Sequence, residues 1–157
     1  MSRGRILVVD DDESLRRVMQ VQLEDLGYDV ATAADGDAAI RALQLSVREL
    51  VISDLKMPGM SGIDLIKKVR AAYPETIVVV VTAFGTVESA VEAMKLGAYD
   101  YITKPVHPDA LELSVGKALE HLHLLEEVRT LRRVLNRFGG RDGEGTYLQP
   151  DFNPLAH

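Results

Sequence analysis

The sequence predicts an α/β protein, a doubly wound parallel sheet with helices on both faces. Three observations carry that reading. Short apolar runs rich in Val and Ile alternate five times with amphipathic segments between Arg5 and about Arg137. The runs mostly lack the polar alternation of a half-solvated strand, so they require cover on both faces. Glycines stand where the first and fourth amphipathic patterns stop, as a left-handed cap position prefers. Regular strand and helix alternation then implies parallel neighbours joined by right-handed crossovers.

Each element has its own warrant. Ile6 to Asp10 is the first apolar run, and Leu15, Val18, Met19, Leu23 and Leu26 follow at helical spacing until Gly27. Tyr28 to Ala33 is the second strand, and Ala38 to Leu45 the second helix. Leu50 to Asp54 forms the third strand, and the helix of Ile63 to Val69 follows an LKMPGMSG loop. Ile77 to Val81 is the fourth strand, and its helix, Val87 to Leu96, stops at Gly97. Tyr99 to Thr103 completes the strands. The last helix, from Pro108 to about Arg137, is roughly twice as long as cover for one sheet face requires. Its stripe of Leu111, Val115, Ala118, Leu122 and Leu125 resumes at Val128, Leu131, Leu135 and Phe138 after a spacing of three. That resembles a stammer in a heptad pattern and suits a short coiled coil or a partner-docking helix. GGRDGEGTYLQPDFNPLAH, rich in Gly, Asp and Pro, reads as a linker or flexible tail.

Composition narrows the function. The 157 residues suit one domain with an appendage, and 46% hydrophobic content is ample for a core. A net charge of −6 disfavours direct nucleic-acid binding, which requires clustered cations. The absence of cysteine leaves only oxygen and histidine as metal ligands. The apolar run after MSRGR is too short for a signal peptide, and no stretch approaches a membrane span, so a cytoplasmic protein is expected.

In a doubly wound sheet the functional crevice lies beyond the carboxyl ends of the strands. Asp10 and Asp11 stand there after the first strand, Asp54 after the third, Thr82 after the fourth and Lys104 after the fifth. Three aspartates in a row after a buried run make poor folding sense, because like charges repel and lose solvation near a core. A hard divalent cation turns that repulsion into coordination, and Mg²⁺ fits because it uses one or two carboxylates and keeps sites for phosphoryl oxygens. A carboxylate can itself attack phosphorus to give an acyl phosphate. Asp54, isolated before a sharp loop that should leave its oxygens exposed, is the candidate acceptor; Lys104 and Thr82 would meet the phosphoryl oxygens. Taken singly, each residue has a plainer reading. Asp11 to Glu13 suit a helix N-terminus, with Asp12 as its cap; Asp54 suits a turn, Thr82 a cap and Lys104 a solvated surface. Together they would be four separate accidents on one sheet edge. The four histidines read as surface residues.

VVDDDESLR, SDLKMPGMSGIDL, VVVTAFG and GAYDYITKP, in that order, resemble the receiver domain of two-component response regulators over roughly Gly4 to Glu120. They resemble most closely the receivers of nitrogen-regulation-type activators, which work with sigma-54 RNA polymerase. The resemblance implies a flavodoxin-like sandwich with strand order 2-1-3-4-5. It implies Asp54 as the phosphorylated aspartate, Asp11 as a direct Mg²⁺ ligand, Asp10 acting largely through water, and the Lys56 backbone carbonyl as the remaining protein ligand. A one-residue slip would make the pair Asp11 and Asp12; the strand register favours Asp10 and Asp11. Thr82 matches the switch hydroxyl, Tyr101 the switch aromatic, whose plainer reading is a half-buried strand residue, and Lys104 the site lysine, with a cis peptide before Pro105.

The resemblance further implies a sensor histidine kinase as phosphodonor, a switched surface around the fourth helix, fifth strand and fifth helix, and a homodimer through the helical extension. The expected division is a receiver over 4–120, an extension over 121–138 and a flexible tail over 139–157. Receivers of that group lead into ATPase and DNA-binding domains, and no Walker motif follows here. Two rivals stand beside this reading. An aspartyl-phosphate phosphatase needs a second aspartate at position 56, which is Lys. A receiver-like module that binds partners without phosphorylation has no evident need of Asp11, Asp54, Thr82 and Lys104 together.

Overall fold

Five apolar runs form five parallel strands in a computed structural model that describes residues 2–83 and 85–139. In chain order the elements are β1 (Arg5–Val9), α1 (Glu13–Asp25), β2 (Asp29–Ala33), α2 (Gly36–Leu45), β3 (Leu50–Ser53), α3 (Gly62–Ala72), β4 (Ile77–Thr82), α4 (Val87–Lys95), β5 (Asp100–Thr103) and α5 (Pro108–Gly139). The strand order is β2-β1-β3-β4-β5, the order implied by the resemblance. Pairing of Val9 with Ala33 and Ser53, Ser53 with Val80, and Thr82 with Thr103 brings the carboxyl ends to one edge.

Side chains alternate between two apolar layers along the central strands. Ile6, Val8, Ile52, Val79 and Val81 pack with Met19 and Leu23 of α1 and Leu111, Val115 and Leu122 of α5. Leu7, Val9, Val51, Val78 and Val80 pack on the other face with Leu43 of α2, Leu65, Ile66 and Val69 of α3, and Ala93 of α4. Helices on both faces explain the unbroken apolar runs in β1, β3 and β4. The two edge strands depart from that expectation: Asp29 is exposed in β2, and no residue of β5 is fully buried.

Several boundaries move by a residue or two. Asp10 and Asp54 fall just beyond β1 and β3, Tyr28 and Tyr99 precede β2 and β5, and Thr82 closes β4. Helix α2 starts earlier than its apolar pattern because the Asp35 side chain accepts from the Ala38 backbone N–H. Helix α3 starts earlier for the same reason, with Ser61 accepting from Asp64. Gly27 and Gly97 have φ of 95° and 107°, the left-handed conformation expected after α1 and α4. The Lys104–Pro105 peptide is cis.

The chain divides into compact units of Met1–Leu122 and His123–His157. Leu122 is the last α5 residue in the core of the first. Among the described residues of the second, Leu124, Leu131, Val134, Leu135 and Phe138 are exposed. Of the expected tail over 139–157, Gly139 instead ends α5, and residues 140–157 lie outside the described residues. No described helix is long and apolar enough to cross a membrane.

Candidate functional site

Had β1 continued, Asp10 and Asp11 would point to opposite faces of the sheet. The chain turns instead. The Asp10 N–H donates to the Ala33 carbonyl at 3.2 Å, and the Asp12 N–H donates to Asp10 Oδ1 at 2.9 Å, a side-chain turn that aspartate favours. Asp12 caps α1, its carboxylate accepting from the Leu15 N–H at 3.2 Å. The guanidinium of Arg16, one turn into α1, donates to the Asp10 carbonyl at 2.7 Å. Asp10 is thereby buried and Asp11 left exposed, yet carboxylate oxygens of Asp10, Asp11 and Asp54 lie within 4.8 Å of one another.

Asp54 follows β3, its N–H donating to the Val9 carbonyl at 3.1 Å. The expectation that its oxygens stand exposed is contradicted, because Asp54 is only 5% exposed. The loop folds back over it. The Lys56 N–H donates to Oδ1 at 3.3 Å, the Lys104 ammonium covers Oδ2, and Gly62 at the start of α3 packs against the Asp54 carbonyl.

Lys104 reaches this pocket from the end of the edge strand β5. Its N–H donates to the Thr82 carbonyl at 2.9 Å, and its Nζ lies 2.8 Å from both Asp10 Oδ2 and Asp54 Oδ2. Burial is the largest single influence on the ammonium and lowers its pKa; the hydrogen bonds and charges of Asp10 and Asp54 together outweigh it and raise the pKa above 10.5. Of the remaining predicted residues, Thr82 is fully buried at the end of β4. Tyr101 is half-buried, with its hydroxyl 3.0 Å from Ser89 Oγ in the capping box of α4. Lys56 follows in the turn and is exposed. His107, His121 and His123 are exposed, and His157 lies outside the described residues.

The donor set of the pocket fits an additional cation. The ammonium contacts Asp10 and Asp54 directly and the Asp11 carboxylate lies within 4.8 Å of theirs, so by formal charge three acids stand against one ammonium, a difference of about two, the charge of one hard divalent ion. Burying an ion costs several kcal/mol even after relaxation, about as much as burying two aliphatic side chains recovers. An all-oxygen donor set fits Mg²⁺, with Asp10, Asp11 and Asp54 as its holders. It follows that Asp11→Asn should raise the melting temperature in EDTA by roughly 2–4 °C, the effect of relieving one like-charge contact. The variant should also lose the further rise that Mg²⁺ gives the wild type. A lower melting temperature in EDTA would show that Asp11 is not in repulsive contact.

Sequence reasoning missed Arg16, Gly62 and Ser89. Arg16 lies on an amphipathic helix, where cations are ordinarily solvated, and Gly62 reads as a turn glycine. Ser89 carried one legible signal, its place three residues after Thr86, a capping-box spacing with Ser in place of Glu or Gln.

Comparison with known proteins agrees with this fold. The family model described as response regulator receiver domain matches residues 6–116. The alginate biosynthesis transcriptional regulatory protein AlgB of Pseudomonas aeruginosa is 40% identical over 137 residues, which cover 87% of this chain and 30% of that protein. The transcriptional regulatory protein ZraR of Escherichia coli K12 is 42% identical over 121 residues, covering 77% and 27%. The chain thus spans less than a third of these curated relatives. Among solved structures, the signal receiver domain of a putative Luxo repressor protein from Vibrio parahaemolyticus superposes with a TM-score of 0.76 at 35% identity, covering 80% of this chain and 97% of that one. NtrX from Brucella abortus in complex with ADP gives a TM-score of 0.78 at 37% identity, covering 84% and 29%. With the motifs, the strand order and the acidic pocket all in agreement, the chain belongs to the response regulator receiver domains of two-component systems.

Proposed function

We propose that Asp54 accepts a phosphoryl group from a sensor histidine kinase, or from a small phosphodonor, in a Mg²⁺-dependent reaction. One observation carries the reading: a single ammonium, Lys104 Nζ, lies 2.8 Å from Asp54 and from Asp10, with the Asp11 carboxylate alongside. An Asp54 oxygen attacks phosphorus as the bond from phosphorus to the donor imidazole breaks. The imidazole leaves as the base and takes its proton from solvent. The product is an acyl phosphate, which water later cleaves. Asp10, Asp11, Asp54 and the Lys56 carbonyl would hold Mg²⁺, which when bound offsets charge on the phosphoryl oxygens. Lys104 supplies a second positive contact, and burial around Asp54 excludes competing water.

The chain is itself the thing modified. Phosphorylation adds nearly two negative charges and three acceptor oxygens, which the Thr82 hydroxyl would meet. Tyr101 then fills the space that Thr82 vacates, and the surface around α4, β5 and α5 changes. The apolar residues exposed beyond Leu122 suit a homodimer through the extension of α5, with residues 4–120 as the receiver. The modified receiver would act in the cytoplasm on an output such as transcription, through output domains of the kind implied by the length of its relatives.

The test is incubation with a small phosphodonor and Mg²⁺, followed by intact mass and sizing chromatography. Wild type should gain one phosphate and change in oligomer size, and Asp54→Asn should gain none. An equal gain in the variant would displace Asp54 as acceptor.

A further inference from the structure

We infer that Arg16 is a positioning residue for the cation pocket: its bond to the Asp10 carbonyl sets the turn that brings Asp10 and Asp11 onto one side. The inference rests on the proposed Mg²⁺ site. Two adjacent aspartates converge only if the peptide between them rotates away from strand geometry. That peptide carries the Asp10 carbonyl, and Arg16 Nη1 grips it at 2.7 Å. The Asp12 N–H holds the Asp10 side chain at 2.9 Å, and the Ala33 carbonyl holds the Asp10 N–H at 3.2 Å. With the Asp10 N–H, side chain and carbonyl each bonded, the direction in which the chain leaves toward Asp11 is set. Arg16 is the only one of these three partners that can be substituted without changing a backbone group.

Charge alone argues against a guanidinium in this place. A cation beside a dication site opposes binding of the ion. The electrostatic and the positioning effects of Arg16 therefore have opposite signs, and a substitution separates them. Removing the guanidinium should strengthen Mg²⁺ binding if charge dominates. It should weaken binding if the Asp10–Asp11 turn loosens. Outer contacts that orient metal ligands typically govern affinity by about 10- to 100-fold, enough for the positioning effect to prevail.

The experiment is a Mg²⁺ titration of the whole chain followed by amide NMR shifts, for wild type, Arg16→Ala and Arg16→Gln, with thermal unfolding in EDTA to establish that each variant is folded. The dissociation constant should rise about tenfold or more in both variants. Gln removes the charge and keeps a donor too short for the carbonyl, so it decides the matter if the Ala variant does not fold. An unchanged or lower dissociation constant in a folded variant, with wild type binding normally, overturns the role of Arg16 alone. Wild type that binds no Mg²⁺ overturns the reading of the pocket and this inference with it.

Discussion

Replacing Lys104 by methionine should destabilise the metal-free protein by about 3 kcal/mol near neutral pH, and should nearly abolish phosphorylation of Asp54. Methionine fills similar space and removes the charge. Asp10 and Asp54, 1% and 5% exposed, would then share a pocket with no ammonium between them. Removing one partner of a buried pair leaves the full desolvation cost of the other, and here it leaves two such costs. Unfolding in urea with EDTA measures the loss, and added Mg²⁺ should recover part of it by supplying the missing positive charge.

The pH dependence of that difference has a definite sign. The Lys104 pKa is raised above 10.5 on folding, so its contribution is fully present below 10.5 and is lost as pH climbs through the folded value. The gap between wild type and Lys104→Met should therefore stay level from neutral pH to about 10 and close only in stronger alkali. Equal stability of the two proteins at neutral pH would mean that the ammonium does not compensate the acids.

Gly62→Ala should cost about 3 kcal/mol, at the upper end for overpacking, and should slow phosphorylation as well. A Cβ at position 62 would lie 2.1 Å from the Asp54 carbonyl oxygen and 2.6 Å from Leu55 Cα. Both are backbone, so no side-chain rotation relieves the overlap. The Gly62 N–H also donates to the Leu55 carbonyl at 2.8 Å, which ties the start of α3 to the next peptide along. Displacing either peptide moves the Asp54 carboxylate, the proposed phosphoryl acceptor. Helix propensity alone predicts the reverse, a gain of up to about 1 kcal/mol for alanine. Gly116→Ala supplies the comparison, since nothing lies within 4 Å of a Cβ there and the substitution should be neutral or stabilising. Similar melting temperatures for the two variants would show that the loop after Asp54 yields freely.

The order of elements was legible because buried parallel strands have a distinctive composition. β1, β3 and β4 are unbroken apolar runs and are buried along nearly their whole length. β2 and β5 were legible as strands but not as edges, because edge position depends on strand order, which periodicity does not encode. The acids and the lysine were legible from their places at strand ends. The closure of the pocket was not, because the cover over Asp54 comes from the backbone of its own loop, at Lys56 and Gly62, and from Lys104, 50 residues away. Arg16 escaped notice because its partner is a backbone carbonyl, which leaves no trace in residue type. Leu119, buried in the core, was missed because a stripe drawn through Leu111, Val115, Ala118 and Leu122 passes beside it.

The contacts of Lys104 join residues 94 and 50 positions apart. Such distant partners meet only after the intervening chain has closed its loops, so the acids of the first and third strands wait for the fifth. A nascent chain on the ribosome, or one cut ahead of its last strand, carries the aspartates without their lysine. Under the proposed function, competence to receive a phosphoryl group would wait for the fifth strand, and a chain cut ahead of it would lack the ammonium that meets Asp54.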